Sequence, residues 1–304
     1  MIKRTLYFGS PSYLRKKNNQ LEIKKPENKN EEEELSKVVS VPIEDIGIVI
    51  LDHGQITLSH GLLSALIENN VAVVTCNNKH HPTGLFLNLD ANQLQSEKFQ
   101  DQIEASVPLK KQLWQQTISR KIKNQAALLK KRNRSIKNML YWAKKVRSGD
   151  PDNYEGRAAA YYWKNLFPKI LEFTRDRYGE APNQLLNYGY AILRATVARS
   201  LVASGLLPTL GIHHHNKYNA YCLADDIMEP YRPFVDEIVC TIVENGEDFY
   251  ELSKSIKEQL LELPTVDIVI EGKRSPLFVG VQRTTASLAK CYEGELRKIL
   301  YPAI

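Results

Sequence analysis

Cysteine is scarce: four in 304 residues, Cys76, Cys222, Cys240 and Cys291, far apart and with no CxxC spacing. That argues against a disulfide scaffold and a cysteine-ligated zinc site, and it suits free thiols in a reducing cytoplasm. The N-terminus MIKRTLYFGS is basic without an apolar run, so no signal peptide is read there. The most apolar helix-like stretch is interrupted by Arg194 and Arg199, which excludes a membrane span. A Walker-type phosphate loop is missing, so no nucleotide-driven step is expected.

Negative charge is missing from one long interval. Between Glu104 and Asp150 there is no acidic residue, yet the same interval holds thirteen lysines and arginines. With an overall charge of +6, the rest of the chain is net acidic. A merely solvated helix face usually interleaves both signs; segregation on this scale predicts a polyanion, and a DNA phosphate backbone fits. Arg120, Lys121, Lys123, Lys130, Lys131, Arg132, Arg134 and Lys137 are the candidate contacts.

Residues 1–90 read as β-rich. RTLYFGS (4–10) and QLEIKK (20–25) flank a turn-like KKNN, and residues 38–43, 47–52 and 71–77 are runs rich in Val and Ile. KPENKNEEEEL (25–35) reads as a charged loop, and residues 59–70 as a helix capped by Ser59. From 91 to 304 the period turns helical, with long helices predicted over 109–133 and 183–205. The strand–helix alternation of a doubly wound sheet is missing. The expected fold is therefore α+β: a β-sandwich-like domain, then a larger, mostly helical domain closing on a hairpin (265–281) and a helix (282–300).

GIHHHNKYNAYCLADDIMEPYRP (211–233) crowds three histidines ahead of Asp225, Asp226 and Glu229. Alternating strand-like residues would turn His214 opposite to His213 and His215. A helix beginning near Asp226 would set Asp226 and Glu229 on one face, with Asp225 as a cap. Glu229, ahead of Pro230, has no evident local cation. Imidazole with carboxylates and no thiolate suits Mn²⁺ or Mg²⁺. A further carboxylate comes from NYEGRAAAYYWKNLF (153–167), where Ala158, Ala159 and Tyr162 share the face of Glu155. At this point Glu155 reads equally as a capping residue on an Ala-rich packing helix.

The ordered set EGRAAAYYW, LNYGYAIL, GIHH and LADDIMEPYRP resembles the CRISPR-associated integrase family, CRISPR-associated protein one of the spacer-acquisition complex. QRTTAS and CYEGELRKI resemble the version that accompanies type II systems. The resemblance implies a metal site of Glu155, His214 and Glu229. Asp226 stands as a further candidate ligand, and Tyr162 reads as a substrate contact beside the metal or equally as core packing. It implies Mg²⁺ or Mn²⁺ as cofactor. It also implies an N-terminal dimerisation domain, a homodimer, and a heterohexamer with the small dimeric CRISPR-associated protein two, joined in some systems by an effector nuclease. The implied reaction inserts short double-stranded DNA at a repeat border through attack of a 3′-hydroxyl on a phosphodiester. A metal-dependent DNA endonuclease and a non-catalytic DNA-binding scaffold are the competing readings.

Overall fold

The computed structural model describes residues 3–26, 38–170 and 173–304. Contacts divide the chain into two compact units, Met1–Ala91 and Asn92–Ile304. The charged loop expected over 25–35 lies almost wholly outside the described residues.

The first unit holds strands β1 (Arg4–Phe8), β2 (Ser12–Lys17), β3 (Gln20–Lys24), β4 (Val39–Pro42), β5 (Ile46–Leu51) and β6 (Ile56–Leu58), helix α1 (His60–Glu68), and strands β7 (Ala72–Cys76) and β8 (Pro82–Phe86). They form two four-stranded sheets, β1-β5-β7-β8 and β4-β3-β2-β6. Leu14, Leu21 and Val41 of one sheet, Val49 and Val73 of the other, and Leu62 and Leu66 of α1 bury into one core. The KKNN turn is the tip of a two-residue hairpin, β2–β3, with Asn18 and Asn19 both left-handed at φ 48° and 58°. Asparagine tolerates that region better than most side chains, and such turns match strand twist. β1, β5 and β7 run parallel, and α1 lies in the crossover between the last two. The sequence pattern did not suggest this, because one short helix among many strands leaves no alternation to see.

The second unit has helices α2 (Gln95–Glu104), α3 (Val107–Lys131), α4 (Lys137–Lys145), α5 (Tyr154–Leu166), α6 (Asn183–Ala203), α7 (Cys222–Met228), α8 (Arg232–Glu244) and α9 (Lys254–Leu261), hairpin β9 (Asp267–Ile270) and β10 (Lys273–Pro276), and helix α10 (Leu277–Tyr292). α3 is capped by Ser106, whose hydroxyl accepts the N–H of Leu109. α6 is the central helix, buried on most of its surface, and it ends just before Gly205, whose φ of 78° suits only glycine well. No helix among the described residues is long and apolar enough to cross a membrane. α10 stops eight residues short of the expected end, followed by left-handed Gly294, and the chain beyond runs back along α3.

Candidate metal centre

α7 begins at Cys222, four residues before the helix start expected near Asp226. Asp225 is therefore not a cap: its carboxylate receives Arg194 at 2.7 and 3.1 Å and the Asn219 amide at 2.7 Å. Pro230 does not break the chain direction. Residues 229–231 form a 3₁₀ turn that runs straight into α8. That continuity brings Arg232 onto Glu229 three residues earlier, with Nε 2.8 Å from Oε1. Glu229 thus has the local cation that its sequence neighbourhood seemed to lack.

Glu155 is freed for a site because others cap its helix. Asn153, left-handed at φ 51°, accepts the Gly156 N–H, and Asp150 accepts the N–H groups of Tyr154 and Glu155 at 3.0 and 2.9 Å. The capping alternative is therefore taken by two other residues. The Glu155 carboxylate meets Lys121 instead, Oε1 to Nζ 2.7 Å, and the same ammonium reaches Glu229 Oε2 at 2.6 Å. Lys121 is a buried bridge between two carboxylates from different elements, and its side chain is only 10% exposed. It cannot serve as a surface DNA contact, contrary to the reading of the basic run. Its position signals this: Ile118, Ile122 and Gln125, at helical spacing around it, are buried on the same stripe of α3.

Opposing effects meet at these groups. Burial alone would raise the Glu229 carboxyl, but the charges of Arg232 and Lys121 outweigh it and hold it down to about 2. Burial alone would lower Lys121, but Glu229 and Glu155 raise it overall. Glu229 and Lys121 are consequently held in their charged forms.

Asp226 is fully buried and turned toward the histidine segment. It accepts the backbone N–H of His213 at 2.9 Å and of His214 at 3.3 Å, and it pairs with His214 Nδ1. Both of its oxygens therefore hydrogen-bond the histidine segment, and the bond to Nδ1 orients the His214 ring. Gly211 permits this closeness: a Cβ there would lie 2.4 Å from the His214 carbonyl oxygen and 2.8 Å from Asp226 Oδ2. The histidine register follows. His213 stacks flat on Trp114 of α3 at 4.1 Å, His214 meets the same ring edge-on, and His215 is exposed. The Asp226 bond raises the His214 pKa against the opposing effect of burial, and Glu229 and Glu155 are close enough to add to the rise.

Tyr162 is not a substrate contact. It is fully buried and donates to Asp236 Oδ2 at 2.7 Å, while Tyr190 donates to Oδ1 at 2.5 Å. The Arg232 guanidinium lies over the Tyr190 ring at 4.5 Å. Arg232, Tyr190 and Asp236 therefore form a support behind Glu229, which sequence inspection missed because nothing in their spacing distinguishes them from core residues. A cavity of about 280 Å³ opens beside Lys121 and Glu229, walled by Trp163, Arg175, Arg177 and Tyr190.

Among the described residues, no three His, Cys, Asp or Glu side chains already close on one point. The donor chemistry nevertheless fits a hard divalent ion: two carboxylates share a cation at hydrogen-bond distance, and a braced imidazole stands nearby. The Lys121 ammonium lies between the two carboxylates.

The rest of the basic run is divided. Lys131 and Arg132 pair with Glu237 and Glu244 of α8 at 2.9 and 3.0 Å, Lys130 and Lys137 are exposed, and Arg134 is half-buried. Arg120 and Lys123 line a separate cleft.

The family model described as CRISPR associated protein Cas1 matches residues 6–257. A CRISPR-associated endonuclease Cas1 of Neisseria meningitidis is 37% identical over 250 residues, 82% of this chain and 81% of that protein. Among solved structures, a casposase bound to its integration product superposes with a TM-score of 0.77 at 21% identity, covering 98% of this chain and 92% of that one. A Cas6-RT-Cas1–Cas2 complex superposes with a TM-score of 0.73 at 20% identity, over 98% of this chain and 36% of that one.

Proposed function

This chain belongs to the Cas1 family of CRISPR-associated proteins, and from that premise we propose that it is the integrase of CRISPR adaptation, joining short duplex DNA to a repeat border. The observation that carries the mechanism is the pair Glu155–Glu229 facing one shared cation. Glu155, His214 and Glu229 would hold Mg²⁺ or Mn²⁺. Bound there, the ion would activate a 3′-hydroxyl and stabilise charge on the phosphoryl oxygens.

The chain's own groups do the remaining work. Asp226, bonded to His214 Nδ1, holds the ring and leaves Nε2 as the nitrogen that would meet an ion. Arg232, stacked on Tyr190, keeps Glu229 ionised and in place. Arg175 and Arg177 on the cavity wall supply positive charge for a phosphodiester, contributing position rather than sequence choice. Exchange of one phosphodiester for another needs no nucleotide hydrolysis.

The endonuclease named for the Neisseria relative is the second reading, in which water takes the place of the 3′-hydroxyl at the same site. A homodimer formed through the N-terminal unit, a heterohexamer with a Cas2-like dimer, and contact with a type II effector nuclease complete the proposal; the Cas1–Cas2 assembly among the structural neighbours supports such a partner. Labelled duplex with 3′-hydroxyl ends, a supercoiled repeat plasmid, the Cas2-like partner and Mg²⁺ or Mn²⁺ make the test. Metal-dependent joining of label to plasmid that Glu155→Ala abolishes supports integration. Cutting without joining supports the nuclease, and binding without either product supports the scaffold.

A further inference from the structure

One face of α3 turns away from the metal centre. Arg120 and Lys123 lie there, on the side of the helix that Lys121 does not share. With α4 and the segment after α10 they enclose a cleft of about 630 Å³ whose cationic lining is Arg120, Lys123, Lys144, Arg297 and Lys298. Among the described residues no acidic side chain lines it. Among the described residues none of these five cations forms an ion pair, whereas Lys131 and Arg132, farther along the same helix, are matched by glutamates. Burial pushes the Arg120 and Lys123 pKa values down, and for Lys123 the charges of Arg120 and Lys144 add to the effect.

The cleft is built, not incidental. The Gln116 side chain clamps the returning segment as a strand partner would, donating to the Arg297 carbonyl at 2.9 Å and accepting from the Ile299 N–H at 3.0 Å. The Thr117 and Tyr301 hydroxyls meet at 2.7 Å. On the opposite wall Gln115 donates to the Val146 carbonyl at 2.7 Å and Ser119 to the Ala143 carbonyl at 2.8 Å. Neutral polar groups thus anchor the walls while the cations stay unmatched. Five like charges held together cost stability unless an anion completes them.

We propose that this cleft is a second DNA-backbone site, separate from the metal centre, in which Arg297 and Lys298 join Arg120, Lys123 and Lys144 on successive phosphates. It rests on DNA being the substrate. It adds a segment outside residues 6–257, the part matched by the family model.

The test is duplex binding by the full chain, followed by fluorescence anisotropy over a salt series without divalent metal. Arg297→Gln with Lys298→Gln should reduce the slope of log K against log[salt] by about 1 to 2, since each lost phosphate contact removes about 0.9. Lys144→Gln should remove about 0.9 more. The charge-matched control Lys273→Gln with Arg274→Gln, exposed on β10, should leave the slope unchanged. An unchanged slope in the Arg297/Lys298 variant, or an equal fall in the control, overturns the site while leaving the integrase reading intact. No duplex binding by the wild-type chain overturns both.

Discussion

Replacing Lys121 by methionine tests whether the ammonium stands where an ion binds. The variant keeps most of the volume and removes the charge. With carboxylate oxygens at 2.7 and 2.6 Å, each pair has about 6 kcal/mol of Coulomb attraction at an effective dielectric of about 20, and desolvation cancels most of it. Breaking a buried pair by removing one partner typically costs about 3–5 kcal/mol. Arg232 still faces Glu229, and the Glu155 side chain is 27% exposed, so the lower end, about 3 kcal/mol, applies. For a domain of this size that is a fall in Tm of about 6–12 °C without metal. The same 3 kcal/mol returns when a divalent ion binds, because the variant has no ammonium to displace. At about 1.4 kcal/mol per factor of ten, Mn²⁺ should bind about a hundredfold more tightly than to the wild type. Calorimetric titration with Mn²⁺, paired with Tm at low and saturating metal, measures both quantities. Mn²⁺ affinity equal to or weaker than wild type would refute displacement and show that the lysine stays beside the ion.

Three further outcomes are expected. Asp226→Asn removes the charged brace on His214 and should weaken Mn²⁺ binding about 10–100-fold, with circular dichroism unchanged; undiminished affinity would make Asp226 structural only. Gly211→Ala drives a methyl into the His214 carbonyl and Asp226, and should cost about 1–3 kcal/mol in urea unfolding as well as metal affinity; neutral behaviour would contradict the close approach. Asp236 is raised to about 6 by burial, despite two tyrosine donors and nearby arginines. The native state therefore holds a proton that the unfolded chain has released, so stability should fall by about 3 kcal/mol as pH rises from 4 to above 6. Asp236→Asn should abolish that component of the pH profile, and a profile as steep as wild type would remove Asp236 as its source.

The site is legible in the sequence only as a set of short segments. Glu155, His214 and Glu229 come together there only through the family resemblance, because each short segment by itself also fits a cap, a core histidine or a surface acid. The capping alternative for Glu155 stayed open because cap identity depends on where the helix starts, and Asp150 and Asn153 take that role only through left-handed turns. Tyr162 shares the Glu155 helix face, yet a face spans two neighbours: one side looks to Lys121, the other to Asp236. Helical periodicity cannot separate them.

The basic run teaches the same lesson in charge. Its lack of acids is a property of the chain, visible without folding, and so is the partition into a strand-rich first part and a helical remainder, because periods of 2 and 3.6 are local geometry. Which of those cations are free is not local. Lys121 lies on the buried stripe of α3 between carboxylates 34 and 108 residues away, Lys131 and Arg132 find glutamates on α8, and Arg120 and Lys123 meet further positive charge from Lys144 of α4 and from Arg297 and Lys298. Coulomb energy depends on distance through space, and only the tertiary fold sets that distance.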